Sequence, residues 1–248
     1  DILTTHCVYW PTMLMASNIQ LPNTIFAHGW WLIDNLKMSK SVGNVIKPLE
    51  LFKKYGSDFT AINQKINVSN SDTIYKQMNA KNGEMWEEYH RRLRETRKTW
   101  SVDPLDKIAE SIEKLPQWLP IGDFGCGEAI LADKFGNRVQ SFDAVSHDSR
   151  VTSCNIAKVP VRDGDLGIAV FCQSLMGTAR SWPQYSNEAG RCLPTDGILL
   201  IAETTKSIRE NARNLGSIRD VVKENGFELN PEGCYDEYKF TFIEARKV

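Results

Sequence analysis

The chain has 248 residues, of which 42% are apolar and 25% charged, with a net charge of −1 at neutral pH. That length buries a sizeable core as one large domain or two small ones. The near-neutral balance excludes a global attraction to nucleic acid, so any such affinity rests on local patches. Six cysteines (Cys7, Cys126, Cys154, Cys172, Cys192 and Cys234) lie scattered with no CxxC pair. This argues against a metal site or a disulfide framework and reads as reduced thiols in an intracellular protein. No apolar run reaches membrane-spanning length and the first residues do not form a signal peptide. The chain opens on Asp1 rather than methionine, which reads as a fragment of a longer protein.

Residues 9–16 are apolar and helix-compatible, and Pro22 ends that run. Residues 24–33, rich in aromatic and β-branched side chains, predict a strand. A polar loop over 34–44 carries Lys37-Met38-Ser39-Lys40-Ser41, and residues 48–55 predict a short helix with proline near its first turn. Two lysines among small hydroxyl residues suit the phosphates of ATP, because lysine acts as a point charge on phosphate oxygens. A solvated loop accounts for an isolated pentapeptide equally well. The wider context is more specific. Asp1-Ile2-Leu3, His6-Cys7-Val8-Tyr9-Trp10-Pro11, Leu21-Pro22, Phe26-Ala27-His28-Gly29-Trp30-Trp31 and the run from Lys37 to Val45 resemble the end of the catalytic domain of methionyl-tRNA synthetases. The resemblance implies that Lys37 and Lys40 are remnants of an ATP site and His6 of a methionine pocket. The family's other nucleotide-binding half and its anticodon-binding helices have no counterpart in this sequence. No amino-acid activation or aminoacylation is expected.

Residues 59–74 are polar and aperiodic and read as a linker. Residues 75–97 predict a helix, with Met85, Tyr89 and Leu93 on one stripe. Five basic residues crowd its end (Arg91, Arg92, Arg94, Arg97 and Lys98). They fit either an RNA backbone or a solvated face balanced by Glu84, Glu87 and Glu88. Residues 105–115 predict an amphipathic helix. Strands and helices then alternate. Strands are predicted over 121–124, 138–142, 156–161 (weakly), 167–172 and 197–202, helices over 128–135, 181–192 and 208–225, and a closing antiparallel pair over 227–229 and 238–245. This is the pattern of a mostly parallel, seven-stranded α/β sheet with helices on both faces.

Ile121-Gly122-Asp123-Phe124-Gly125-Cys126-Gly127 reads as a strand, a tight glycine turn and a helix start, the floor of a nucleotide-like site. A dinucleotide fingerprint wants a third glycine where this chain has Ile130. Asp123 before the turn suits an amino-acid ammonium group. Asp143, ending the second strand, suits a ribose diol. Together these point to S-adenosylmethionine.

Tyr89-His90, Trp100, Pro104-Leu105-Asp106, the Asp123–Gly127 turn, Ser141-Phe142-Asp143, Arg150-Val151-Thr152, Phe171-Cys172-Gln173-Ser174-Leu175-Met176-Gly177-Thr178 and Leu199-Leu200-Ile201-Ala202-Glu203 resemble the ribosomal RNA-processing protein 8 family of methyltransferases. The resemblance implies a class I, Rossmann-like methyltransferase over residues 75–248. It also implies N1-methylation of an adenine in large-subunit rRNA, ribosome-assembly partners, and a nucleolar location in a eukaryote or a cytoplasmic one otherwise. It assigns His90, Gly125, Gly127, Asp143, Asn155, Ile156 and Cys172 to the cofactor. His90 would close over it, Gly125 would face its methionine part, Asp143 would hold the ribose, Asn155 and Ile156 would flank the adenine, and Cys172 would lie under the transferring methyl. The chain departs from the family at Asn155, where Asp is usual, and at Gly167, where an acidic residue is usual. In-line methyl transfer to a ring nitrogen needs alignment and desolvation rather than a nucleophilic side chain, so no catalytic residue is named. The domain layout expected is 1–58 synthetase-like, 59–74 linker and 75–248 methyltransferase. The alternatives are a non-catalytic module that binds S-adenosylmethionine or RNA, and an artefactual join carrying an inactive methionine-tRNA ligase remnant.

Overall fold

The computed structural model describes residues 9–17, 32–33, 36–37, 71–146, 148–175, 182–209 and 217–248. The chain divides into two compact units, Asp1–Gly56 and Ser57–Val248. In the first, helix α1 (Trp10–Ala16) starts on Pro11, whose fixed φ suits a first turn. Strands β1 (Leu32–Ile33) and β2 (Leu36–Lys37) pair antiparallel, Leu32 opposite Lys37. Leu36 and Lys37 are therefore strand where a loop is predicted, because they pair with Ile33 and Leu32. His6, Lys40 and the predicted helix over 48–55 lie outside the described residues.

The second unit begins with α2 (Ser71–Asn79) and α3 (Glu84–Arg97). One helix is predicted here. The structure breaks it at a 3-10 turn, Ala80–Gly83, where Gly83 takes a φ of 85° that ordinary residues avoid. Helix α2 also starts inside the stretch read as linker. Helix α4 (Pro104–Glu113) is capped by Asp103, whose carboxylate accepts from the Leu105 amide at 2.9 Å. There follow β3 (Ile121–Phe124), α5 (Ile130–Phe135), β4 (Val139–Asp143), β5 (Val151–Ser153), β6 (Ile168–Cys172), α6 (Trp182–Cys192), β7 (Ile198–Thr204), α7 (Ile218–Glu224), β8 (Phe227–Leu229), β9 (Tyr235–Glu237) and β10 (Phe240–Lys247). Among the described residues no helix is long and apolar enough to cross a membrane.

The sheet has eight strands in the order β5-β4-β3-β6-β7-β10-β8, with β9 added on β10. The five strands from β5 to β7 run parallel, and β10 is antiparallel to β7, β8 and β9. Two features differ from the seven-stranded expectation. The third strand is β5, not residues 156–161. There Asn155 closes a turn on itself, its side-chain oxygen accepting from Ala157 N at 3.0 Å and its carbonyl from Lys158 N at 2.8 Å. The additional strand is β9, a short edge piece.

Alternate strand residues serve opposite faces. Ala169, Phe171, Leu199, Ile201 and Ile243 join α6 and α7 in one core. Ile168, Val170, Leu200, Ala202 and Phe242 join α4 and α5 in the other. A third, small cluster of Met78, Trp86, Tyr89 and Val145 holds α2 and α3 to the carboxyl end of β4.

Candidate cofactor site

In an open parallel sheet, ligands bind outside the carboxyl ends of the strands, where the chain reverses direction across the sheet. Here that point lies between β3 and β6. Strand β3 hands over to Gly125 (φ 77°) and Gly127 (φ 55°). The amides of Gly125 and Cys126 donate to the Phe142 carbonyl at 2.7 and 3.0 Å, which fixes the turn to β4. Side chains are excluded at both glycines. A Cβ on Gly125 would sit 2.4 Å from Ser174 Cβ, and one on Gly127 2.7 Å from His90 Nε2.

Asp143 ends β4 beside this turn and is 8% exposed. One carboxylate oxygen accepts from Gly127 N at 2.8 Å; the other accepts from Trp86 Nε1 at 3.0 Å and from Val145 N at 3.4 Å. His90 follows one helical turn after Trp86. Its Nδ1 lies 3.0 Å from the Trp86 carbonyl, which can only accept, so Nδ1 carries the proton and Nε2 presents its lone pair to the turn. Burial holds the His90 pKa below the ordinary imidazole value, and the ring is neutral at pH 7.

A cavity of about 130 Å³ opens here, lined by Trp86, His90, Gly125, Asp143, Asn155 and Ile156. A second, of about 80 Å³, shares His90 and Gly125 and adds Gly127 and Cys172. The structure therefore brings together all the predicted cofactor residues except Asp123, which lines neither cavity. Asp123 is buried at the end of β3, and burial, with the Asp143 charge behind it, raises its pKa to about 7. Cys172 is pushed well above its ordinary value by burial and by Asp123 and Glu203, so it stays a neutral thiol. Gly167 lies at the opposite end of β6, where a Cβ would come 2.7 Å from the Leu119 side chain. The departure from the resembling family at that position bears on packing, not on the cavity.

Sequence reasoning missed several residues. Trp86 could have been found from its spacing of four before His90, which puts both on one helix face. Gln173 takes a left-handed φ of 55° and lines both cavities; the family-like block from Phe171 to Thr178 contains it, but the resemblance assigns it no role. Ser174 lines the larger cavity, and its buried hydroxyl has no partner. Glu203, 2% exposed, accepts from Leu175 N at 2.9 Å and so steadies the loop after β6; burial raises its pKa to about 7. The basic run on α3 resolves as a balanced face. Arg91 pairs with Glu88 and Glu95, Arg92 with Glu88, Arg94 with Glu128 and Arg97 with Asp103. The two arginines hold Glu88 down to about 2.

The chemistry of this set fits a nucleoside. It offers a strand-end carboxylate for a diol, a glycine turn for close approach and an orphaned hydroxyl at the wall. Sheet order and glycine turn define a class I, Rossmann-like methyltransferase fold. That fold is shared with the magnesium protoporphyrin IX methyltransferase of Synechocystis, solved with bound SAH, at a TM-score of 0.52 and 11% identity over 72% of this chain and 99% of that one. The family described as "Hypothetical methyltransferase" matches residues 50–248, and the chain belongs to it. It is 31% identical over 219 residues to ribosomal RNA-processing protein 8 of Dictyostelium discoideum, covering 87% of this chain and 54% of that protein. It is 32% identical over 205 residues to the 25S rRNA (adenine(645)-N(1))-methyltransferase of Schizosaccharomyces pombe, covering 78% and 63%. The chain thus spans little more than half the length of these relatives. The family of class I methionine tRNA synthetases matches residues 1–92.

Proposed function

We propose that this chain is an S-adenosylmethionine-dependent methyltransferase whose acceptor is N1 of an adenine in large-subunit rRNA. The observation that carries the cofactor is Asp143, a buried carboxylate held at the end of β4 against the amide of Gly127 and facing the cavity. The acceptor rests on the likeness to the fission-yeast enzyme, which is named for that activity. The bound cofactor supplies a methyl group activated on a sulfonium. Asp143 accepts from the ribose hydroxyls, Asn155 and Ile156 flank the adenine, and the Gly125–Gly127 turn admits the methionine part. Asp123, buried behind the turn and lining neither cavity, has no part in these contacts. His90 and Cys172 wall the region where the methyl passes and exclude water. Adenine N1 already carries a lone pair, so no residue has to remove a proton before attack. A target base in a duplex is flipped out or presented single-stranded.

Residues 1–58 form a synthetase-like head with no amino-acid activation of its own, the stretch up to the start of α2 at Ser71 joins it, and the rest, to residue 248, carries the methyl transfer. Pre-ribosome assembly factors are the partners this reading predicts, in the nucleolus of a eukaryote or in the cytoplasm otherwise. Calorimetric titration with S-adenosylmethionine tests it. Asp143→Ala removes the acceptor for two hydroxyls and lowers affinity about 100-fold. Unchanged affinity in that variant would refute the site.

A further inference from the structure

We propose that α2 and α3 latch the cofactor site, with Trp86, Asn79 and Asp72 holding by hydrogen bonds the very residues (Asp143, Ala144 and Asn155) that form its ribose and adenine end. The inference rests on the cofactor site proposed above. A carboxylate offers about four acceptor positions. On Asp143 three are taken, by Trp86 Nε1, Gly127 N and Val145 N. A ribose diol donates twice, so one of these donors must leave. Gly127 and Val145 are backbone fixed by the turn and the strand end. Trp86 is a side chain on a separate helix, and it is the one that goes.

Two further contacts act in the same sense. Asn155 spends its side-chain oxygen on Ala157 N, so its amide nitrogen turns outward and donates to Asp72 at 2.8 Å. Asn79 donates its amide to the Ala144 carbonyl, next to Asp143. The two cavities left beneath are about 130 and 80 Å³, together below the roughly 300 to 1,000 Å³ of small-molecule sites. The segment can move without opening the main cores. Its buried side chains Met78, Trp86 and Tyr89 form their own small cluster with Val145. Gly83, in its left-handed conformation between the two helices, is a natural pivot. Only the Trp86 side chain has to turn away from Asp143; His90, one turn further along α3, keeps its place at the wall. Cofactor binding thus carries the work of releasing the latch, at a cost in affinity.

Calorimetric titration of the full chain with S-adenosylmethionine tests the latch. Trp86→Phe keeps an aromatic ring in the small cluster and removes the N–H. Asp72→Ala releases Asn155 from the protein surface without touching the cavity. A hydrogen bond to a charged group is strong enough to move a binding constant about tenfold. Affinity therefore rises about tenfold in Trp86→Phe and by a smaller factor in Asp72→Ala, with faster association in stopped flow. If the unaltered chain binds and both variants bind equally or more weakly, the latch is wrong while the site stands. If neither the unaltered chain nor the variants bind, the site reading fails and the latch with it.

Discussion

Glu203 shows what burial does to a single carboxyl at this site. In the unfolded chain it ionises near 4.5, whereas burial at the end of β7 raises it to about 7. Between those values the folded chain holds a proton that the unfolded chain has released, so stability falls as pH rises from about 4.5 to about 7 and levels off above. The contribution is about 3 kcal/mol. Asp123 shifts in the same direction and to the same value. Urea denaturation across pH 4.5 to 8 measures the fall, and Glu203→Gln roughly halves it; an identical pH profile in that variant would contradict the assignment. At this scale the sequence is legible where partners are near in the chain. Asp143 and Gly127 lie 16 residues apart and both follow from the strand–turn–helix pattern. Trp86 reaches Asp143 across 57 residues and Asp72 reaches Asn155 across 83. No local pattern carries contacts made only by tertiary packing.

Among the elements, α3 is where composition leaves two readings open. Its arginines fit an RNA backbone or a balanced face equally well until their partners are in place. Arg91, bridging Glu88 and Glu95 on its own helix at 2.7 and 3.0 Å, is spent on the helix surface. Arg91→Ala therefore leaves affinity for an rRNA fragment, and its dependence on salt, unchanged in a filter-binding assay. A shallower salt slope in the variant would show a lost phosphate contact. Central strands are well foretold: β3 is found residue for residue, and β6 and β7 to within two residues, because buried parallel strands are continuous apolar runs bounded by turns. Edge pieces are not. β5 has three residues, one of them buried, and β9 has three with none buried, so neither shows a hydrophobic signature. The break between α2 and α3 turns on the backbone freedom of Gly83, one residue inside an otherwise helical pattern.

Taken whole, the chain joins two units with separate resemblances, Asp1–Gly56 and Ser57–Val248. Only the second carries the sheet, the glycine turn and Asp143. The fold class was legible because its alternation of strand and helix runs over more than 100 residues and each segment agrees with its neighbours. The contacts that α2 and α3 make at the site were not, since they depend on how the lead-in helices dock on the sheet. The central claim is methyl transfer to RNA by this chain. It is tested most directly by incubating the full chain with methyl-labelled S-adenosylmethionine and unmodified large-subunit rRNA, then digesting to nucleosides. The account predicts label in 1-methyladenosine, lost on Asp143→Ala. Label absent from RNA with cofactor bound, or label present at another nucleoside, would contradict it.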